Sequence, residues 1–286
     1  MWLNTIPAFS IFSPVMKKLL LPGIFCIFLN ILCRAQQAFP YGQIHEIESA
    51  VLGEKRILNV YIPEGYDKDS AASMPVIYLL DGTASEDFIH ISGLLQFFRL
   101  RGVMPAALVV GIANTDRKRD FTFPTSVQED KARFPTTGGS AAFIRFLEKE
   151  VTPFVEEKYG KSKKRILIGQ SLGGLLATEI LLKKRSLFDT YLIVSPSLWW
   201  DRQSLLKQAE PLVRTLSSAP AEVFVSVGKE GAVMKRDART LYRILSGSRK
   251  YNIKAHFSYL PDEDHSSILH EAIYRNLRQM YPAAGN

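Results

Sequence analysis

Ser171 lies in Gly169-Gln170-Ser171-Leu172-Gly173, a spacing that suits a nucleophile held on a sharp strand-to-helix turn. A turn that tight strains the backbone and crowds the residues two before and two after the serine, so positions 169 and 173 are expected to require glycine. The hydroxyl then stands above the sheet. The N–H of Leu172, in the first turn of the following helix, points to where the oxyanion of a tetrahedral intermediate would form, and Gly174 lets that helix lie close to the sheet. By chance alone about one chain in ten of this length carries such a pattern at average glycine content, so its surroundings have to decide. Ile166-Leu167-Ile168 reads as a buried strand, and Leu172, Leu175, Leu176, Ile180 and Leu181 form a helical stripe.

A serine hydroxyl is a poor nucleophile near neutral pH; it needs a base for its proton and a third group to orient the base. Of the five histidines, His265 follows the last strand and therefore fits the chain order serine, acid, histidine. His45 and His90 precede the serine, His256 lies within a strand and His270 within the final helix. The acid is expected after the preceding strand, where both Glu230 and Asp237 occur. Glu230 is nearer the strand end, where a rigid element can hold it. Asp237 lies in a helical run, Met234 to Leu245, where an early acid already suits the helix dipole. Asp201 and Asp264 are further alternatives. The second oxyanion donor is expected from the loop after Val76 to Leu80, namely the N–H of Thr83, with Gly82 next in order.

The elements that must position these groups follow from periodicity. Alternation from Ile44 to Val51, a turn at Gly53-Glu54 and a second run, Ile57 to Ile62, predict an N-terminal antiparallel hairpin. Continuous apolar runs at 75–80 and 106–112 predict central parallel strands, and further strands are expected at 166–168, 190–194, 221–227 and 251–260. Helical spacing between them, at 88–101, 142–155, 172–181, 234–245 and 268–277, predicts a mostly parallel, doubly wound α/β sheet in one domain. Asn114 to Gly139 has no clear period and is expected to be a long loop bordering the site, with Arg119 and Asp120 as substrate contacts. Trp199 and Trp200 either wall in a ring-bearing substrate or cover the core.

Composition bounds the rest. Of 286 residues, 47% are hydrophobic, enough for a sizeable core. Met16-Lys17-Lys18, the apolar run Leu19 to Leu32 and the small residue Ala35 predict an export signal at 1–35, starting at Met1 or Met16 and cleaved after Ala35. The 14-residue run is shorter than the roughly 20 needed to span a bilayer, so no membrane span is expected once it is removed. Both cysteines, Cys26 and Cys33, would leave with it, excluding thiol catalysis and disulfides from the mature domain at 36–286. Its 33 basic and 28 acidic side chains are only mildly unbalanced, and the run Lys161 to Arg165 is not interleaved with aromatics, so nucleic acid is not an expected partner.

These residues resemble the putative-esterase group of α/β-hydrolases, which includes esterase D, siderophore trilactone esterases, feruloyl esterases and mycolyltransferases. The resemblance spans roughly residues 45–280 and is carried by Tyr78-Leu79-Leu80-Asp81-Gly82, Arg119-Asp120, Gly169 to Gly174, Ser195-Pro196-Ser197-Leu198-Trp199-Trp200 and the late His265. It implies Ser171 as nucleophile, His265 as base and the N–H groups of Leu172 and Thr83 as oxyanion donors. Two departures bear on this. Gln170 stands where the group usually has histidine, and some of its siderophore esterases work with a Ser–His pair, which leaves the part of Glu230 open. The expectation is an exported serine esterase, periplasmic or secreted, that needs no metal or organic cofactor and cleaves carboxylic esters such as siderophore trilactones. Feruloyl or acetyl polysaccharide esters and acyl transfer are alternatives within the group. A non-catalytic binding protein on the same fold is the alternative of a different class. Oligomeric state is not indicated.

Overall fold

The computed structural model of the chain describes residues 39–215 and 219–282. The expected export signal at 1–35 lies outside the described residues. The described residues from Tyr41 onward form one compact unit.

The hairpin pairs β1 (Gln43–Ser49) with β2 (Glu54–Tyr61) in antiparallel register, closed at Gly53, whose φ of 68° favours glycine. β2 then runs antiparallel to β4 (Leu108–Ile112). From there the sheet is parallel through β3 (Val76–Leu79), β5 (Arg165–Gln170), β6 (Thr190–Val194), β7 (Ala221–Gly228) and β8 (Ile253–Leu260). The strand order is β1-β2-β4-β3-β5-β6-β7-β8.

Because side chains alternate across a strand, the apolar runs feed two cores. Tyr78, Leu80, Leu167, Tyr191 and Ile193 face one core, and Ile77, Leu79, Ile166, Ile168 and Leu192 the other. The helix Phe88–Leu100 (α1) buries Ile91, Leu94, Leu95 and Phe98 in the second core. Burying one such side chain contributes about 1.5–3 kcal/mol, so the sheet is held firmly on both faces.

The segment expected to be a long loop contains two short helices, Arg117–Phe121 (α2) and Gln128–Arg133 (α3). Five or six residues are too few to display a period, which is why the pattern is silent there. The next helix begins as Ser140–Phe146 (α4), widens into a π turn at Leu147–Val151 and resumes as Thr152–Tyr159 (α5). Pro153 has no N–H to return to the preceding turn, and the widened turn accommodates that loss. The remaining helices are Leu172–Lys183 (α6), Trp200–Thr215 (α7), Ala232–Ser246 (α8) and Ile268–Met280 (α9).

Register brings the strand ends to a common rim. Leu79 pairs with Ile168, Gln170 with Val194, Val194 with Ser226, and Gly228 with Leu260. Residues that follow β5, β6, β7 and β8 therefore meet at the carboxyl edge of the sheet, where open α/β sheets bind ligands.

Candidate active site

Ser171 has φ 58° and ψ −117°, a region that side chains rarely adopt, between the end of β5 and the start of α6. The close approach that demands glycine falls on two positions. A Cβ at Gly169 would lie 2.4 Å from the carbonyl oxygen of Gly173, and one at Gly174 would lie 3.0 Å from Pro196 Cα. At Gly173 the nearest atom, Asp81 Oδ2, would be 3.4 Å away, an ordinary contact, so the requirement expected there belongs instead to Gly174.

The Ser171 hydroxyl lies 3.0 Å from His265 Nε2, and His265 Nδ1 lies 2.6 Å from Glu230 Oε2. His265 reaches the serine from the turn after β8, and Gln170 Nε2 donates to its carbonyl at 2.6 Å. Glu230 is held at the end of β7 by the Gly228 N–H, at 3.1 Å, and by the Ser195 hydroxyl, both on Oε1. Burial pushes this carboxyl up, but the hydrogen bonds from His265, Ser195 and Gly228 outweigh it and keep it below the usual glutamate value. It is thus ionised wherever the imidazole needs it. A charge on His265 formed by taking the serine proton would be met by a fixed carboxylate.

The other acids are elsewhere. Asp237 is buried in α8 beside Arg236. Asp201 accepts from the Thr125 hydroxyl and the Ser126 N–H, and Asp264 caps the Ser266 and Ser267 N–H groups.

Of the expected oxyanion donors, Leu172 opens α6, where an N–H has no carbonyl one turn back within its helix. The other side differs from expectation. The Gly82 N–H is used by the Ile112 carbonyl at 3.0 Å. The Thr83 N–H faces Glu86 Oε2 at 3.3 Å, and the Thr83 hydroxyl donates to the same oxygen at 2.8 Å. For Thr83 to serve an oxyanion, Glu86 has to release that N–H.

A cleft of about 700 Å³ opens on Ser171, Leu172 and His265, and is also lined by Arg117, Arg133, Phe134, Trp199, Lys229 and Met234. The Arg133 guanidinium stands over the rings of Phe134 and Trp199, 5.4 and 5.7 Å from their centroids. Ser197, also in this wall, has its hydroxyl 3.3 Å from that of Ser171. Of the tryptophan pair read as cleft wall or core cover, Trp199 is at the cleft. Trp200 is not: it is wholly buried, and its indole N–H donates to the Phe123 carbonyl at 2.9 Å.

Arg119 and Asp120 also depart from expectation. Asp120 is 1% exposed and takes Arg56 at 2.7 Å and Arg119 at 2.7 Å, while Arg119 also binds Glu54. They are part of an ion-pair network with Arg56 and Glu54 of β2, buried at Arg56 and Asp120 and half-buried at Arg119 and Glu54. Arg117 takes the place expected of them. Residues two apart on a helix point about 200° apart, so once α2 forms, Arg117 and Arg119 face opposite ways. Arg117 grips Asp81 with two nitrogens, at 2.6 and 2.8 Å, and reaches the Gln170 carbonyl at 3.4 Å. Arg133, Phe134, Lys229 and Met234 had no individual sequence signal, being scattered residues of loops and helix ends.

A smaller cleft of about 360 Å³, which shares Arg117, Ser171 and His265 with the first, is also lined by Asp81, Glu86 and Asp87. Burial, and then the charges of Asp81 and Glu86, push the Asp87 carboxyl from 3.8 up to about 6. Its folded value lies above its unfolded one, so ionisation costs stability as pH rises through that window, and the cost remains above it. Asp87→Asn is expected to match the parent Tm below about pH 4 and to exceed it above about pH 7. Equal melting in the two pH ranges would show that Asp87 ionises freely.

Among the described residues no cluster of three or more His, Cys, Asp or Glu could hold a metal, and no helix is long and apolar enough to cross a membrane.

Comparison with known proteins gives the family and the fold. Residues 49–268 match the family described as Putative esterase. The chain is 32% identical over 249 residues to the ferri-bacillibactin esterase BesA of Bacillus subtilis (strain 168), covering 79% of this chain and 85% of that protein. Among solved structures, an IroE-like serine hydrolase from Shewanella oneidensis superposes with a TM-score of 0.75 at 30% identity, over 84% of this chain and 80% of that one. The BES protein from Bacillus cereus superposes with a TM-score of 0.74 at 27% identity, over 86% and 96% of the two chains. The fold is that of these α/β hydrolases.

Proposed function

The chain belongs to the putative-esterase family of carboxylic ester hydrolases, and from that premise we propose that it cleaves siderophore esters through an acyl-enzyme on Ser171. His265 Nε2 takes the proton as Ser171 Oγ attacks the ester carbonyl. The imidazolium then gives that proton to the departing alcohol, and water repeats the sequence to release the acid. Glu230 keeps Nδ1 protonated and stabilises the charged ring. The Leu172 N–H, with Thr83 once Glu86 lets go, faces the developing oxyanion.

The observation that carries the substrate class is the composition of the larger cleft. Arg133 and Lys229, together with Arg117 paired to Asp81, bring cationic groups to a wall that also holds Phe134 and Trp199 beside the carboxylates of Glu230 and Asp264. Catecholate rings gathered around iron(III) are flat, aromatic and negatively charged, and such a wall suits both properties. BesA, by its name, is an esterase of ferri-bacillibactin. Export, read from the pattern at 16–35, is part of the same proposal and is checked by following the protein into a periplasmic or culture fraction.

The test compares p-nitrophenyl acetate, a feruloyl ester and a catecholate trilactone with and without iron(III). The trilactone is expected to give the highest kcat/KM, and Arg133→Ala to raise its KM while sparing p-nitrophenyl acetate. A preference for the feruloyl ester would move the chain to polysaccharide chemistry. A new ester formed from an added alcohol, in place of free acid, would make it a transferase. Absence of both turnover and serine labelling would leave only a binding role.

A further inference from the structure

Ser195 ends β6 with a left-handed backbone, φ 43°, and no solvent exposure. A non-glycine residue in that conformation is uncommon and costs stability, so its retention calls for a return. Its N–H is spent on the Ser226 carbonyl at 2.8 Å, which aims the side chain along the rim toward β7. There its hydroxyl donates to Glu230 Oε1, the oxygen that also accepts the Gly228 N–H at 3.1 Å. The other oxygen, Oε2, is the one that faces His265 Nδ1. The Glu230 side chain is only 4% exposed whereas that of His265 is 47% exposed, so water is poorly placed to replace either donor on the carboxylate.

We propose that Ser195 is a positioning residue that fixes the Glu230 carboxylate, occupying Oε1 so that Oε2 alone is presented to His265. This rests on Glu230 acting as the third member of the catalytic relay. A carboxylate on a glutamate has three rotatable bonds and two equivalent oxygens. Two donors converging on one oxygen select a single orientation and set its charge opposite the imidazole before substrate arrives. Without the hydroxyl, Oε1 keeps one donor and the group is free to turn.

Ser195→Ala and Ser195→Gly both remove the hydroxyl, and glycine also accepts a φ of 43° without strain. A loss common to both therefore belongs to the hydroxyl and not to the backbone. Each is expected to lower kcat about tenfold with KM little changed, in protein shown by its Tm to be folded. The discriminating measurement is the cycle with Glu230→Gln: because Ser195 acts through Glu230, the double variant Ser195→Gly/Glu230→Gln should turn over no more slowly than Glu230→Gln alone. Losses that multiply, or full kcat in Ser195→Gly, overturn the proposal. If Ser171→Ala abolishes turnover but Glu230→Gln leaves it intact, the acid assignment falls and this proposal falls with it. Turnover retained by Ser171→Ala would instead overturn the serine mechanism.

Discussion

Ser171→Ala is expected to lower kcat for a short-chain ester by several powers of ten, on the order of 10⁴ to 10⁶, with KM little affected. The reason is geometric. The Ser171 hydroxyl is the atom that His265 Nε2 reaches, at 3.0 Å, and it stands at the mouth of both clefts. His265→Ala should cost about as much, and the double variant scarcely more, because a nucleophile without its base is as disabled as a base without its nucleophile. A fluorophosphonate should label the parent protein on the peptide carrying Ser171 and leave Ser171→Ala unlabelled. Turnover of a p-nitrophenyl ester that survives the substitution, or a label on another serine such as Ser197, would overturn the mechanism. Ser197 merits that control, since its hydroxyl lies 3.3 Å from that of Ser171.

How far the sequence foretells this site depends on the range over which each residue acts. The central strands are legible because each is a short apolar run buried on both faces, and the order along the chain places Ser171, Glu230 and His265 after the ends of β5, β7 and β8. Register does the rest: Gln170 opposite Val194 and Gly228 opposite Leu260 bring those ends to one rim. What is lost is facing. Arg117 and Arg119 look equivalent in a string of residues, and only a five-residue helix, too short to leave a periodic trace, turns one to the cleft and the other to Glu54 and Asp120. Trp199 and Trp200 divide in the same way, one into the cleft and the other into the core. Side-chain competition for a backbone donor is equally silent, so the Glu86 carboxylate at the Thr83 N–H has no signature in the pattern. Ser195 is the furthest from view: its effect depends on a positive φ and on a partner 35 residues away.

Glu230→Gln keeps the shape of the side chain and removes its charge, and it is expected to lower kcat by roughly 10² to 10⁴ with KM little changed. The upper figure is the cost of the analogous acid-to-amide change in the serine proteases. The lower one allows for the exposure of His265, whose side chain is 47% accessible, so that water shares in solvating the imidazolium. An amide here also offers its N–H₂ to Nδ1, which favours the wrong tautomer of the ring and leaves Nε2 carrying the proton it should accept. Asp237→Asn serves as the contrast. Asp237 is 2% exposed, one oxygen meets Arg236 Nε at 3.0 Å, and the other has no hydrogen-bond partner among the described residues. Its amide variant should change Tm and leave kcat near the parent value, because nothing connects it to the histidine. A Glu230→Gln loss below about tenfold, or 1.4 kcal/mol of barrier, together with a large loss in Asp237→Asn, would transfer the role to Asp237. If neither variant loses more than that, the site runs as a Ser171–His265 pair, and the short contact between Glu230 and His265 orients the ring without being needed for its charge.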